Sequence, residues 1–76
     1  MKEILEILIK NLVDNQEKVT ITEKEEGKTT VFEVKVSETD MGKVIGKQGR
    51  VAKSIRTVMK SVAAKEHKKL VIEFVD

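Results

Sequence analysis

Val44-Ile45-Gly46-Lys47-Gln48-Gly49-Arg50 stands between two runs of helical periodicity, and its reading constrains the fold more than any other stretch of the 76 residues. Ahead of it, Ser37, Thr39 and Asp40 offer N-cap oxygens for a short helix beginning near Met41. Behind it, Val51, Ile55, Val58, Met59 and Val62 recur over roughly four turns of helix. Gly46 and Gly49 interrupt that pattern and bracket two polar residues. Glycine tolerates positive φ and carries no Cβ, so a phosphodiester can approach the main chain at both positions. The helix that follows presents unpaired amides and the positive end of its dipole at the same point. Lys47 and Arg50 add positive charge beside it.

A helical wheel at about 100° per residue extends this reading along the second helix. Val51, Ala52, Ile55, Val58, Met59 and Val62 fall on one side and are expected to pack against a sheet. Arg50, Lys53, Arg56 and Lys60 fall nearly opposite. A basic stripe thus starts at the glycine turn and runs along the exposed face. A polyanion lying across turn and helix would meet both.

Further out, Lys18 to Lys24 and Thr29 to Ser37 alternate apolar and polar residues around a polar turn holding Gly27, which predicts a hairpin. Ile4, Leu5, Leu8, Ile9, Leu12 and Val13 recur at helical spacing, so residues 2–14 read as an amphipathic helix, with Ile7 outside the apolar stripe. Lys65 to Lys69 is a polar connection, and Leu70 to Val75 closes the chain as a strand rich in β-branched residues. The order is αββααβ, an α+β class. No proline, repeat or low-complexity tract marks a linker, so residues 1–76 are expected to form one domain.

Charge points the same way as the glycine turn. The overall net charge of +2 is spread very unevenly: −4 over residues 1–40, +8 over 41–69 and −2 over 70–76. So lopsided a block favours a polyanionic partner over a merely solvated face. There is no cysteine, which removes disulfides and thiolate metal sites. The longest apolar run, Ile4 to Val13, is broken by Glu6 and by Lys10-Asn11 and is too short to span a bilayer. No secretory signal pattern is present, so a cytoplasmic location without membrane insertion is expected.

Catalytic readings find little support. Gly42 to Lys47 falls one residue short of a Walker A spacing, and Gln48 stands where a magnesium-binding hydroxyl belongs. His67 is the only histidine and reads as a solvated loop residue, with no second imidazole or thiol to complete a metal site. Glu23, Glu25 and Glu26 crowd a hairpin tip. No enzyme activity and no cofactor are expected.

The Val-Ile-Gly-Lys-Gln-Gly-Arg stretch, set between two helices with a hairpin before and a strand after, resembles the GXXG loop of KH domains. The αββααβ order resembles their bacterial, type II arrangement, and the resemblance covers essentially the whole chain. It is closest to the small stand-alone bacterial proteins of the KhpA family. The resemblance implies a three-stranded sheet packed on one side by three helices. It also implies an RNA-binding protein whose loop clamps about four nucleotides of single-stranded RNA while bases lie over an aliphatic floor. Carried over by position, Gly46, Lys47, Gln48 and Gly49 form the clamp. Val44 and Ile45 line the groove, and Arg50, Lys53 and Arg56 supply charge. A role as RNA chaperone or post-transcriptional regulator follows from the resemblance. So do two partnerships: a homodimer, and a heteromer with a larger KH-containing RNA-binding protein of the KhpB kind. The competing class is a KH fold serving as a dimerisation module with little RNA binding of its own. Retention of Gly46, Gly49, Lys47 and Arg50 favours RNA. A clamp of this kind need not demand the 2′-OH, so single-stranded DNA stays open as a ligand.

Overall fold

A computed structural model describes residues 1–75. Helix α1 covers Lys2–Lys10, strands β1 and β2 cover Thr20–Glu26 and Thr29–Lys35, and helix α2 covers Met41–Ile45. Helix α3 runs over Arg50–Lys65 and strand β3 over Lys69–Val75. Short 3-10 turns at Gln16–Lys18, Glu38–Asp40 and Lys47–Gly49 join them. The sheet has the order β1-β2-β3, with β1 antiparallel and β3 parallel to β2. The αββααβ order and the α+β sheet with its three helices therefore stand as read from the sequence.

Three boundaries differ from the sequence reading for identifiable reasons. The first helix ends at Lys10 rather than running to residue 14. Asn11 turns its own Nδ2 onto the Ile7 carbonyl at 2.9 Å, a local bond that competes with continuing the helix. Val13 still reaches the core from the loop beyond, whereas Ile4 and Leu12 are largely exposed. The first strand begins at Thr20, because Lys18 belongs to a 3-10 turn. It runs on to Glu26, where Gly27 at φ +64° lets the chain reverse.

The core fills one face of the sheet. Ile21, Phe32, Val34, Leu70 and Ile72 point toward Leu5 and Ile9 of α1, Val44 of α2, and Ile55 and Met59 of α3. Phe32, Leu5, Ile9, Met59, Val34 and Val44 are wholly buried. Ala52 and Ala63 are the small side chains on α3's buried side. That helix ends with the His67 amide on the Ala64 carbonyl and the Lys68 amide on the Ala63 carbonyl. His67 takes the left-handed place, at φ +57°, that glycine usually fills. No helix among the described residues is long and apolar enough to cross a membrane.

Candidate nucleic-acid interface

Asp40 fixes the base of the candidate site. Its carboxylate is 1% exposed and lies just ahead of α2. It accepts from the Asn15 amide at 2.9 Å, the Asp14 amide at 3.2 Å, the Ser37 hydroxyl at 2.9 Å and the Asn15 side chain at 3.2 Å. The Asn15 amide first, then the Asp14 amide, the Ser37 hydroxyl and the Asn15 side chain, outweigh burial and hold the carboxyl down at about 2. The loop after α1 is thereby tied to the start of the helix that leads into the glycine turn. The sequence offered Asp40 only as an N-cap; its side chain makes no capping bond and serves this tie instead.

The two glycines of the turn do different work. Gly46 sits at φ +74°, ψ 178°, a region open essentially to glycine alone. A Cβ there would lie 2.3 Å from Val51 Cγ2 and 2.9 Å from the Val51 amide nitrogen. Gly46 is thus required by packing against the first turn of α3. Gly49, at φ +74°, ψ 14°, is left-handed too, but a Cβ on it would meet nothing within 4 Å. Gln48 between them is also left-handed, at φ +57°, a conformation that costs a residue with a side chain about 1 kcal/mol. The turn therefore opens to solvent at Gly49, and α3 starts there with no side-chain cap on its amides.

The expected site residues separate once placed. Lys47, Gln48, Arg50 and Lys53 are exposed around this opening. Lys47, Arg50, Lys53 and Lys60 make no ion pair among the described residues. Lys43, counted in the same basic block, is neutralised: Asp14 and Asp40 hold it, and the Asp14 bond raises its pKa. Lys68 is likewise engaged, by Glu25 at 2.9 Å. Of the aliphatic pair, Ile45 is 38% exposed, whereas Val44 is wholly buried and contributes only from beneath. Arg56 leaves the free stripe altogether. Its guanidinium lies over the Phe74 ring, Cζ 5.3 Å from the centroid, and bonds to the Ile72 carbonyl.

On the opposite flank of α3, Val58 is 47% exposed rather than packed on the sheet. With Leu8, Leu12 and Val51 it lines an apolar groove of about 400 Å³ between α1 and α3. A cleft of about 770 Å³ lies where β1 begins and β2 ends and includes none of the turn residues. No cluster of side chains that could hold a metal ion occurs among the described residues.

Comparison with known proteins agrees with this geometry. The description of the KhpA/KhpB KH domain matches residues 2–74. RNA-binding protein KhpA of Clostridium perfringens is 55% identical over 75 residues, covering 99% of this chain and 100% of that one. The protein of the same name from Aquifex aeolicus is 45% identical, over 100% of this chain and 96% of its own. That of Listeria monocytogenes is 43% identical over the full length of both. A loop of two glycines between α2 and α3, on a sheet whose last strand runs parallel to its neighbour, is thus accompanied by end-to-end similarity, and the chain belongs to the non-enzymatic KhpA/KhpB KH-domain family.

Proposed function

We propose that this chain, as a single KH domain acting in the cytoplasm, binds single-stranded RNA by its backbone at the Gly46–Gly49 turn. The observation that carries the reading is the opening at Gly49. Open space above a left-handed glycine, a helix start without a side-chain cap, and Lys47, Arg50 and Lys53, which have no ion-pair partner among the described residues, come together at the turn. Such a place takes a phosphate without any side-chain rearrangement. Ile45 supplies the exposed aliphatic surface beside it. The name that the relatives share, RNA-binding protein, supports RNA as the polyanion.

The two glycines give a test with an internal control. Gly49→Asp places a negative charge in the opening, and Asp is among the residues that tolerate the left-handed region. Binding to a single-stranded oligonucleotide should fall by about tenfold or more, the loss of one charge-assisted bond, with the circular dichroism spectrum unchanged. Gly46→Ala should instead lower the unfolding midpoint, because Val51 has nowhere to go. Undiminished affinity in a folded Gly49→Asp protein would remove the clamp.

A second reading has its own observation. The apolar groove of Leu8, Leu12, Val51 and Val58 lies on the flank of α3 away from Arg56. It suits a protein surface, and self-association or pairing with a larger KH-containing RNA-binding protein would cover it. The protein would then work as an RNA chaperone or post-transcriptional regulator within an assembly. The pairing groove meets the RNA surface at Arg50, which lines one end of it, while Lys47 and Lys53 lie outside its lining.

A further inference from the structure

The sheet has two edges, and they are not equally open. On β3 the Arg56 guanidinium donates to the Ile72 carbonyl at 3.3 Å, so that edge is partly occupied. On β1 the hydrogen bonds made outside the sheet ladder by the described residues reach no main-chain group of Thr20–Glu26. A seven-residue strand at an edge therefore leaves a row of unpaired amides and carbonyls about 23 Å long. Its pairing with β2 runs residue for residue from Thr20↔Lys35 to Glu26↔Thr29, without a bulge. No proline interrupts it. Charge is the remaining protection of such an edge. Two of its charges are already paired, Lys24 with Glu33 at 2.7 Å and Glu25 with Lys68 at 2.9 Å.

The charges left over are ordered along the strand. Toward its end, exposed Glu23 and Glu26 make no ion pair among the described residues. Just before its start lies exposed Lys18, and Lys35 stands opposite Thr20 on β2; neither makes an ion pair among the described residues. The cleft of about 770 Å³ opens at this end. Lys18 and Lys35 line it together with buried Val36 and half-buried Met41, and Glu38 is the one acid in the lining. The open edge is thus acidic at one end and leads at the other into a cleft with two free lysines and apolar walls.

We propose that β1 accepts the extended carboxyl-terminal segment of another protein as a fourth strand, its terminal carboxylate held by Lys18 and Lys35. An antiparallel strand brings its carboxyl end to the start of β1, where the cleft lies. Its last side chain is apolar and meets Val36 and Met41, and a lysine or arginine upstream meets Glu23 and Glu26. Main-chain ladder bonds supply affinity, and the unlike ends fix direction. A continuous polyanion along the same edge would be repelled by Glu23 and Glu26, which is why a peptide fits and a nucleic-acid strand does not. This chain's own last strand, β3, is already built into the sheet, so the segment comes from a different protein. The surface shares no residue with the glycine turn or with α3, and the inference stands apart from the RNA-binding reading.

The probe is a fluorescein-labelled octapeptide with two lysines at its amino end, alternating threonine and valine, and a terminal valine bearing a free carboxylate. It is titrated with the full chain and read by anisotropy, and saturable binding is expected. Amidating the carboxyl terminus should weaken binding by about tenfold, the loss of one charge-assisted contact. Lys35→Ala should weaken it by a similar factor with the circular dichroism spectrum unchanged. N-methylation of alternate peptide residues gives a readout specific to strand addition. One alternate set should abolish binding and the other leave it within about twofold, because only every second amide of an added strand faces its neighbour. Absence of binding, equal binding of the amidated peptide, or equal tolerance of both methylated sets would each overturn the assignment. Displacement of the peptide by a uridine oligonucleotide that no longer binds Lys18→Ala would make these lysines phosphate contacts and overturn it as well. Gly49→Asp should leave peptide binding unchanged while it weakens RNA binding, so that failure here and failure of the clamp are read separately.

Discussion

A carboxylate that is 1% exposed yet accepts from two main-chain amides, a hydroxyl and a carboxamide needs its negative charge. The folded state holds the Asp40 carboxyl at about 2, below the ordinary 3.8, so above that ordinary value both states are ionised and the full stabilisation is present. As pH falls from about 4 toward about 2, the unfolded chain takes up its proton first, and stability drains away across that window. Urea midpoints followed by circular dichroism should therefore fall more steeply from pH 4 to 2 in the wild type than in Asp40→Asn. Equal slopes would show that the carboxylate carries no linkage. None of this was legible in the sequence, where Asp40 reads as one of three capping candidates. Its partners Asp14 and Asn15 lie about 25 residues away, and only the fold brings them together. Val44 shows the same limit on a smaller scale: periodicity marks it as apolar beside the turn but cannot say whether it faces ligand or core.

At the scale of elements, α3 has three sides and the sequence separated only two. Of its buried side, Ala52, Ile55 and Met59 were legible because a 3.6-residue period exposes them directly, whereas Ala63 was not placed there. The remaining circumference divides by what lies alongside. Arg56 faces β3, Val58 faces α1, and Arg50 with Lys53 faces solvent at the turn. A wheel shows angle and not neighbours, so it merged Arg56 with the free cations and sent Val58 to the sheet. The phosphate contacts proposed above are Lys47, Arg50 and Lys53. At ~0.7 per phosphate for single strands, log K should fall against log salt with a slope of roughly −2. Lys53→Ala should flatten that slope by about 0.7, measured by anisotropy titrations over a range of potassium chloride concentrations. A slope near zero would mean that these cations are merely solvated.

The whole molecule presents two surfaces that meet at Arg50, the glycine turn with its cations and the apolar groove between α1 and α3. One KH domain engages only about four nucleotides, so its lone affinity is modest. Pairing through the apolar groove would place a second clamp on the same strand and raise its effective concentration, by ~10²-fold or more in overall affinity. Val58→Glu should then leave a protein that sediments as a monomer at concentrations where the wild type pairs. Affinity for a tetranucleotide should be unchanged, and affinity for an RNA long enough to meet two clamps should fall by about that factor. A wild type that stays monomeric at all concentrations, with no enhancement on long RNA, would leave the groove to a different partner. The order of elements and the position of the turn were legible because they are local in sequence. The division of labour between the two surfaces was not, because it depends on which element each side of α3 meets.

Gly46 carries a consequence for how loops of this kind are to be read in other chains. Its missing Cβ makes room for Val51, an intramolecular demand that persists whether or not any ligand is ever bound. A descendant of this fold that had abandoned nucleic acid would still be obliged to keep glycine there. Gly49 faces open space and is held to glycine within the fold only by its left-handed φ of +74°, which Asn or Asp can also adopt, so drift would begin at that position. The second glycine of the pair is therefore the informative one when a sequence is sorted into binders and non-binders, and the first is a signature of the scaffold.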